Sequence, residues 1–87
     1  MKHRSRIEIT SVMLDIANGG GVKKTKLMNK ANLSHKQLKE LLMFLTNRDL
    51  IYHDIKTETF KTTEKGLGFL RLYNEIDDMV KKLPLTP

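Results

Sequence analysis

The chain has no cysteine and no tryptophan, two prolines, and only three phenylalanines and two tyrosines among 87 residues. Without cysteine there is neither a disulfide nor a thiolate metal site. That excludes zinc-ribbon and iron–sulfur classes and fits a reducing, cytoplasmic setting. No apolar run approaches the roughly 20 residues that span a bilayer. The basic start, Met1-Lys2-His3-Arg4-Ser5-Arg6, leads into Glu8 and Asp15 rather than into the uncharged apolar core of a signal peptide. A chain of this length makes one domain with a thin core, and a second copy is a common source of added stability.

What is present is positive charge, unevenly placed. Lysine plus arginine number 16 against 10 acidic residues, a net charge of +6. Residues 19–39 contain Lys23, Lys24, Lys26, Lys30, Lys36 and Lys39 and no acid, so this one segment carries the whole excess. A local block of lysines creates a field that attracts a polyanion. A solvated lysine face with no partner is the plain alternative.

The apolar spacing predicts a first helix over about residues 4–17, with Ile9, Val12, Met13 and Ile16 on one face. Asn18-Gly19-Gly20-Gly21 stops it, and lacks the Gly-Lys-Ser/Thr ending of a phosphate loop. A short helix over 23–30 shows a small apolar face of Leu27, Met28 and Ala31. After the link Asn32-Leu33-Ser34, a third helix over 35–47 buries Leu38, Leu41, Leu42 and Leu45. Ser34 and Gln37 have the spacing of a capping box. Two short helices joined by a three-residue turn describe a helix-turn-helix. Residues 50–55 then alternate as a strand, with Ile51, His53 and Ile55 on one face. Residues 59–62 return as a second strand after a charged tip. Thr62 or Thr63 caps a last helix over 64–83, which Pro84 ends. The expected class is mainly α with a small β-hairpin, in the order α-α-α-β-β-α of a winged helix-turn-helix. Residues 1–63 would form the DNA-binding domain, and residues 64–87 a dimerisation helix with a short tail.

That last helix has two apolar stripes. Phe69, Leu72, Ile76, Met79 and Leu83 step by three and four, as a heptad seam does. Leu67, Leu70, Tyr73 and Val80 lie beside them. One stripe suits the domain itself and the other a second chain, which predicts a homodimer.

The run Lys23-Lys24-Thr25-Lys26-Leu27-Met28-Asn29-Lys30-Ala31-Asn32-Leu33-Ser34 resembles the opening of a family of small archaeal winged-helix proteins. The continuation His35-Lys36-Gln37-Leu38-Lys39-Glu40-Leu41-Leu42 keeps the pattern, as do Asp49-Leu50-Ile51 and Thr63-Glu64-Lys65-Gly66. The resemblance implies DNA-binding transcriptional regulators or chromatin-like proteins that dimerise through an antiparallel coiled coil of the C-terminal helix. Asp49 departs from it, standing where such proteins often have the glycine that ends the recognition helix. The last helix is also short for a long coiled coil.

In a helix-turn-helix the second helix enters the major groove, its N-terminal residues foremost. Here those are Ser34, His35, Lys36 and Lys39, with Lys36 and Lys39 on one face. Lys23, Lys24, Thr25, Lys26 and Asn29 would meet backbone phosphates, and Lys56 at the hairpin tip a neighbouring minor groove. Gln37 could read adenine, but its capping role competes. The expected partner is double-stranded DNA, in a nucleoid-associated location. A protein–protein module is the alternative, because winged helices also serve as such modules. An exposed apolar groove with Met43 and Phe44 bare would favour it. His3, His35 and His53 share no ligand spacing, so no metal is expected. Asp77 and Asp78 point about 100° apart on a helix and do not converge as a catalytic dyad would. No cofactor, catalytic constellation or small-molecule effector is evident in the sequence.

Overall fold

The structure is a computed structural model that describes residues 5–82. Its elements are α1 (Arg6–Ile16), α2 (Lys24–Ala31), α3 (His35–Asn47), β1 (Ile51–Asp54), β2 (Thr59–Thr62) and α4 (Glu64–Lys81). The order matches the sequence expectation. Leu83 and His3 lie outside the described residues.

Local chemistry fixes the helix starts. Ser34 Oγ accepts from the Gln37 N–H at 3.2 Å, and the Gln37 side chain accepts from the Ser34 N–H at 3.0 Å. The expected capping box is therefore formed. Ser5 and Glu8 make a second one at the start of α1. Thr63, not Thr62, caps α4 by accepting from the Gly66 N–H at 2.9 Å. Asn32 closes α2 in the left-handed conformation (φ 57°), and Asp49 adopts the same region (φ 60°) just beyond α3. Asp49 thus supplies the turn that glycine provides elsewhere, at some conformational cost to a residue with a Cβ.

The core gathers Met13, Leu14 and Ala17 from α1, Leu27 and Ala31 from α2, and Leu38, Leu42 and Leu45 from α3. Leu33, Leu50, Ile51, Phe60 and Leu70 complete it. The buried face of α1 is shifted by one residue from the expected one. Thr10, Met13, Leu14 and Ala17 are inside, while Ile9, Val12 and Ile16 are only half-buried. The reason is that α1 packs against α2, β2 and α4 and is apolar on several sides, so its spacing alone does not choose a face.

The hairpin pairs Ile51 with Thr62 and His53 with Phe60, antiparallel. Val22 adds a bridge to Phe60 through two hydrogen bonds of 3.0 and 2.7 Å, a short third rung that the glycine run hid. Gly21 precedes it with φ 91°, and a side chain there would press on Thr59 and Lys61. Ile55 does not share a face with Ile51. It sits in the turn, 79% exposed, because the Asp54 carboxylate accepts from the Lys56 and Thr57 N–H groups and ends the strand.

α4 is seated at its base. Gly66 is buried, and a Cβ there would collide with the Leu50 carbonyl oxygen. Thr63 fastens the same corner, its N–H donating to that carbonyl at 3.0 Å and its hydroxyl to the Asp49 carbonyl at 2.6 Å. Leu70 enters the core with Leu67 and Tyr73 half-buried nearby. Val80, expected on that same stripe, is exposed instead, because the helix has run past the domain by then.

Candidate nucleic-acid interface

α2 and α3 present their polar sides outward together. Lys23, Lys24, Thr25, Lys26 and Asn29 are exposed at and along α2, and Ser34, His35, Lys36 and Lys39 at the start of α3. The buried Leu27 and Ala31 hold α2 against the core, and Leu38, Leu42 and Leu45 do the same for α3.

The ion pairs among the described residues are Lys61–Asp54, Lys81–Asp77 and Lys82–Asp78. None involves the six lysines of residues 19–39. Their charge is uncompensated at close range, which is what a phosphate backbone requires of a cationic face.

α2, α3 and the hairpin enclose a groove of about 450 Å³ lined by Lys24, Lys39, Met43, Thr46, Tyr52 and His53, among others. It brings Lys24 and Lys39 together, although 15 positions separate them in sequence. Tyr52 is a functional candidate that the sequence reading missed, whereas Met43 was named there only as a mark of a protein partner. Met43 is 57% exposed and continues the outward stripe of Lys36 and Lys39. The three-four spacing of that stripe was a usable signal. Phe44 is not bare: it is half-buried, with the Arg48 guanidinium 4.0 Å above its ring. Lys56 is exposed in the hairpin turn.

A family model described as winged helix-turn-helix matches residues 3–81. The chain belongs to the winged helix-turn-helix family. A domain of this kind suggests DNA binding, and the β1–β2 hairpin is the wing of the fold. No curated protein matches the chain.

The wing of this winged helix is internally braced. The His53 and Phe60 rings stack at 4.4 Å and 8°. Lys61 pairs with Asp54 at 3.4 Å. Burial pushes the Asp54 carboxyl up. The Thr57 and Lys56 N–H groups and the Lys61 ammonium together outweigh that and hold it below its ordinary range. No three His, Asp or Glu side chains among the described residues lie close enough to hold a metal ion. No helix among them is long and apolar enough to cross a membrane.

The other surface of note is the far half of α4. Leu72, Ile76 and Met79 are 57%, 51% and 69% exposed, while Phe69 at the near end is half-buried. The two stripes thus separate as expected at Leu70, which packs inward, and at Leu72, which does not.

Proposed function

We propose that this protein binds double-stranded DNA as a transcriptional regulator or chromatin-associated protein, with α3 in the major groove and the wing on the backbone or minor groove. The observation that carries the reading is the acid-free block of six exposed, unpaired lysines on and beside α2 and α3. Lys36 and Lys39 are the leading contacts, mixed between phosphate and base edges. Lys23, Lys24, Thr25, Lys26 and Asn29 serve the backbone, with Ser34 and His35 at the helix start and Lys56 on the wing. α3 contains no arginine, the residue best suited to bidentate guanine readout, so sequence specificity is modest. The location that follows is cytoplasmic and nucleoid-associated.

The protein acts as a homodimer through α4, with residues 1–63 as the DNA-binding unit and 64–87 as the pairing element. Each large apolar side chain left in water forgoes roughly 1.5–3 kcal/mol of burial, and in the proposed seam of Phe69, Leu72, Ile76, Met79 and Leu83 three described residues, Leu72, Ile76 and Met79, are exposed. A two-fold pair presents two recognition helices to one duplex.

A second reading, a protein–protein module, draws support from Met43 and Tyr52 in the groove between α3 and the wing. The lysines bordering that groove favour DNA. A gel-shift series with random and genomic DNA at two salt concentrations separates the readings. Binding that weakens steeply with salt on both DNAs supports the DNA reading. No shift at low salt would overturn it.

A further inference from the structure

An apolar cleft lies remote from the N-terminal face of the proposed recognition helix. It holds about 540 Å³ where the first two turns of α1 and of α4 meet the end of α3, and is lined by Arg6, Ile7, Thr10, Phe44, Arg48, Leu50, Lys65 and Phe69. That volume is in the range of small-molecule sites. Its walls are Ile7, Phe44, Leu50 and Phe69. Its polar groups are three cations and one hydroxyl, and the Thr10 hydroxyl is already spent on the Arg6 carbonyl at 2.8 Å. No carboxylate lines it. Glu40 borders a neighbouring cleft on the other side of Arg6 and Phe44.

The cations are arranged rather than merely present. The Arg48 guanidinium lies 4.0 Å over the Phe44 ring, which holds its plane while its donors stay free. Lys65 Nζ donates to the Arg48 backbone carbonyl at 3.0 Å, which holds the ammonium at the end of α3 and leaves two donors unspent. Arg6, Arg48 and Lys65 take part in none of the ion pairs among the described residues. An arginine fork matches a carboxylate with two parallel hydrogen bonds. Two phenylalanine rings suit an aromatic body. Both helices contribute their N-terminal turns, the positive ends of their dipoles.

The geometry points to a binding site for a small aromatic carboxylate, its ring between Phe44 and Phe69 and its carboxylate on Arg48, with Arg6 and Lys65 completing the charge. The site shares no residue with the lysine block, and it shares Phe69 with the proposed pairing seam.

Methyl and aromatic NMR titration of the full chain with naphthoate, and with neutral naphthalenemethanol, tests it. Naphthoate is expected to bind saturably with Kd below about 1 mM, and to shift the signals of Ile7, Phe44, Leu50 and Phe69. The alcohol is expected to bind about tenfold or more weakly, for want of charge-assisted hydrogen bonds. The double variant Arg6→Gln/Arg48→Gln should lose binding to a similar extent. Ile7→Asp, at an exposed rim position, should abolish it through charge repulsion with the fold intact by circular dichroism. Lys36→Ala/Lys39→Ala should bind naphthoate as the parent does. Equal binding of acid and alcohol, shifts confined to other residues, or indifference to Ile7→Asp would overturn the proposal. So would a cleft that closes to naphthoate as protein concentration rises, since a second copy would then be its occupant.

Discussion

The lysines on α2 and α3 and those at the end of α4 do opposite things. On α2 and α3 the six lysines of residues 19–39 have no carboxylate partner. At the end of α4, Lys81 and Lys82 each reach back one turn to Asp77 and Asp78, at 3.0 Å in both cases. The Lys81 ammonium is held above its ordinary range by the hydrogen bond and charge of Asp77. These pairs are solvent-exposed and add little stability, but they change the field. The first region is a cationic face for a polyanion. The second is a locally neutral rod bearing the exposed Leu72, Ile76, Met79 and Val80, the surface that the proposed pairing would cover. Counting lysines does not distinguish the two. The positions of the acids do.

The largest test of this contrast is on α4. Ile76→Asp makes an unbroken run of four acids with Glu75, Asp77 and Asp78 in the middle of the seam. The parent is expected to sediment as a dimer at about tens of micromolar, and the variant as a monomer with weaker DNA binding, because two linked half-sites become independent. A parent that is monomeric there would reassign the exposed stripe. Next is the lysine face. Lys36→Ala/Lys39→Ala should lower the log–log salt slope of DNA binding by about 1.8, since each phosphate that is no longer neutralised removes about 0.9. Lys81→Ala/Lys82→Ala, the same number of charges, should leave the slope unchanged. Equal slopes for the two doubles would erase the distinction between the regions. Smaller still is Lys56→Ala, expected to reduce the slope by about 0.9 and to weaken binding alike on every sequence. A loss confined to one sequence would mean that the wing reads groove shape.

The smallest effect concerns acid. Asp54 is held below its ordinary value of 3.8 in the folded wing. Its contribution is therefore complete above that value and is lost as pH falls through the lowered one. Amide signals of Lys56 and Thr57, whose N–H groups donate to Asp54, should move toward random-coil positions as pH falls below the ordinary value of 3.8, before the core amides do. Simultaneous loss would show that the turn has no independent acid sensitivity.

Elements with one wet side were legible in the sequence. α3 has leucines at 38, 42 and 45 and a capping pair at 34 and 37, so its period and its start both announce it. The two stripes of α4 were readable for the same reason. α1 was misread by one residue because three elements surround it and apolar residues cover most of its circumference, so the spacing does not choose among them. The Val22 rung was hidden because a single bridging residue has no alternation to detect. The sites follow the same logic. The lysine face lies within one contiguous stretch and could be counted. The groove with Tyr52 and the cationic cleft take their walls from segments far apart in the chain, as Arg6, Arg48 and Lys65 show. Their convergence is a property of packing that no local spacing encodes.

Gly66 has a mechanical consequence. Because nothing but hydrogen stands between its Cα and the Leu50 carbonyl, α4 is clamped at a corner two residues past Arg48, the cap of α3. The joint is stiff and the arm is long: 18 residues of helix extend about 27 Å. A tilt of about 10° at the corner would swing the far end by about 5 Å, nearly one helical turn of 5.4 Å. Whatever bends that corner, a larger residue at position 66 or a molecule lodged between Arg48 and Lys65, acts as a hand on the short end of a lever. In a paired molecule, the distance between the two recognition helices is what the long end moves.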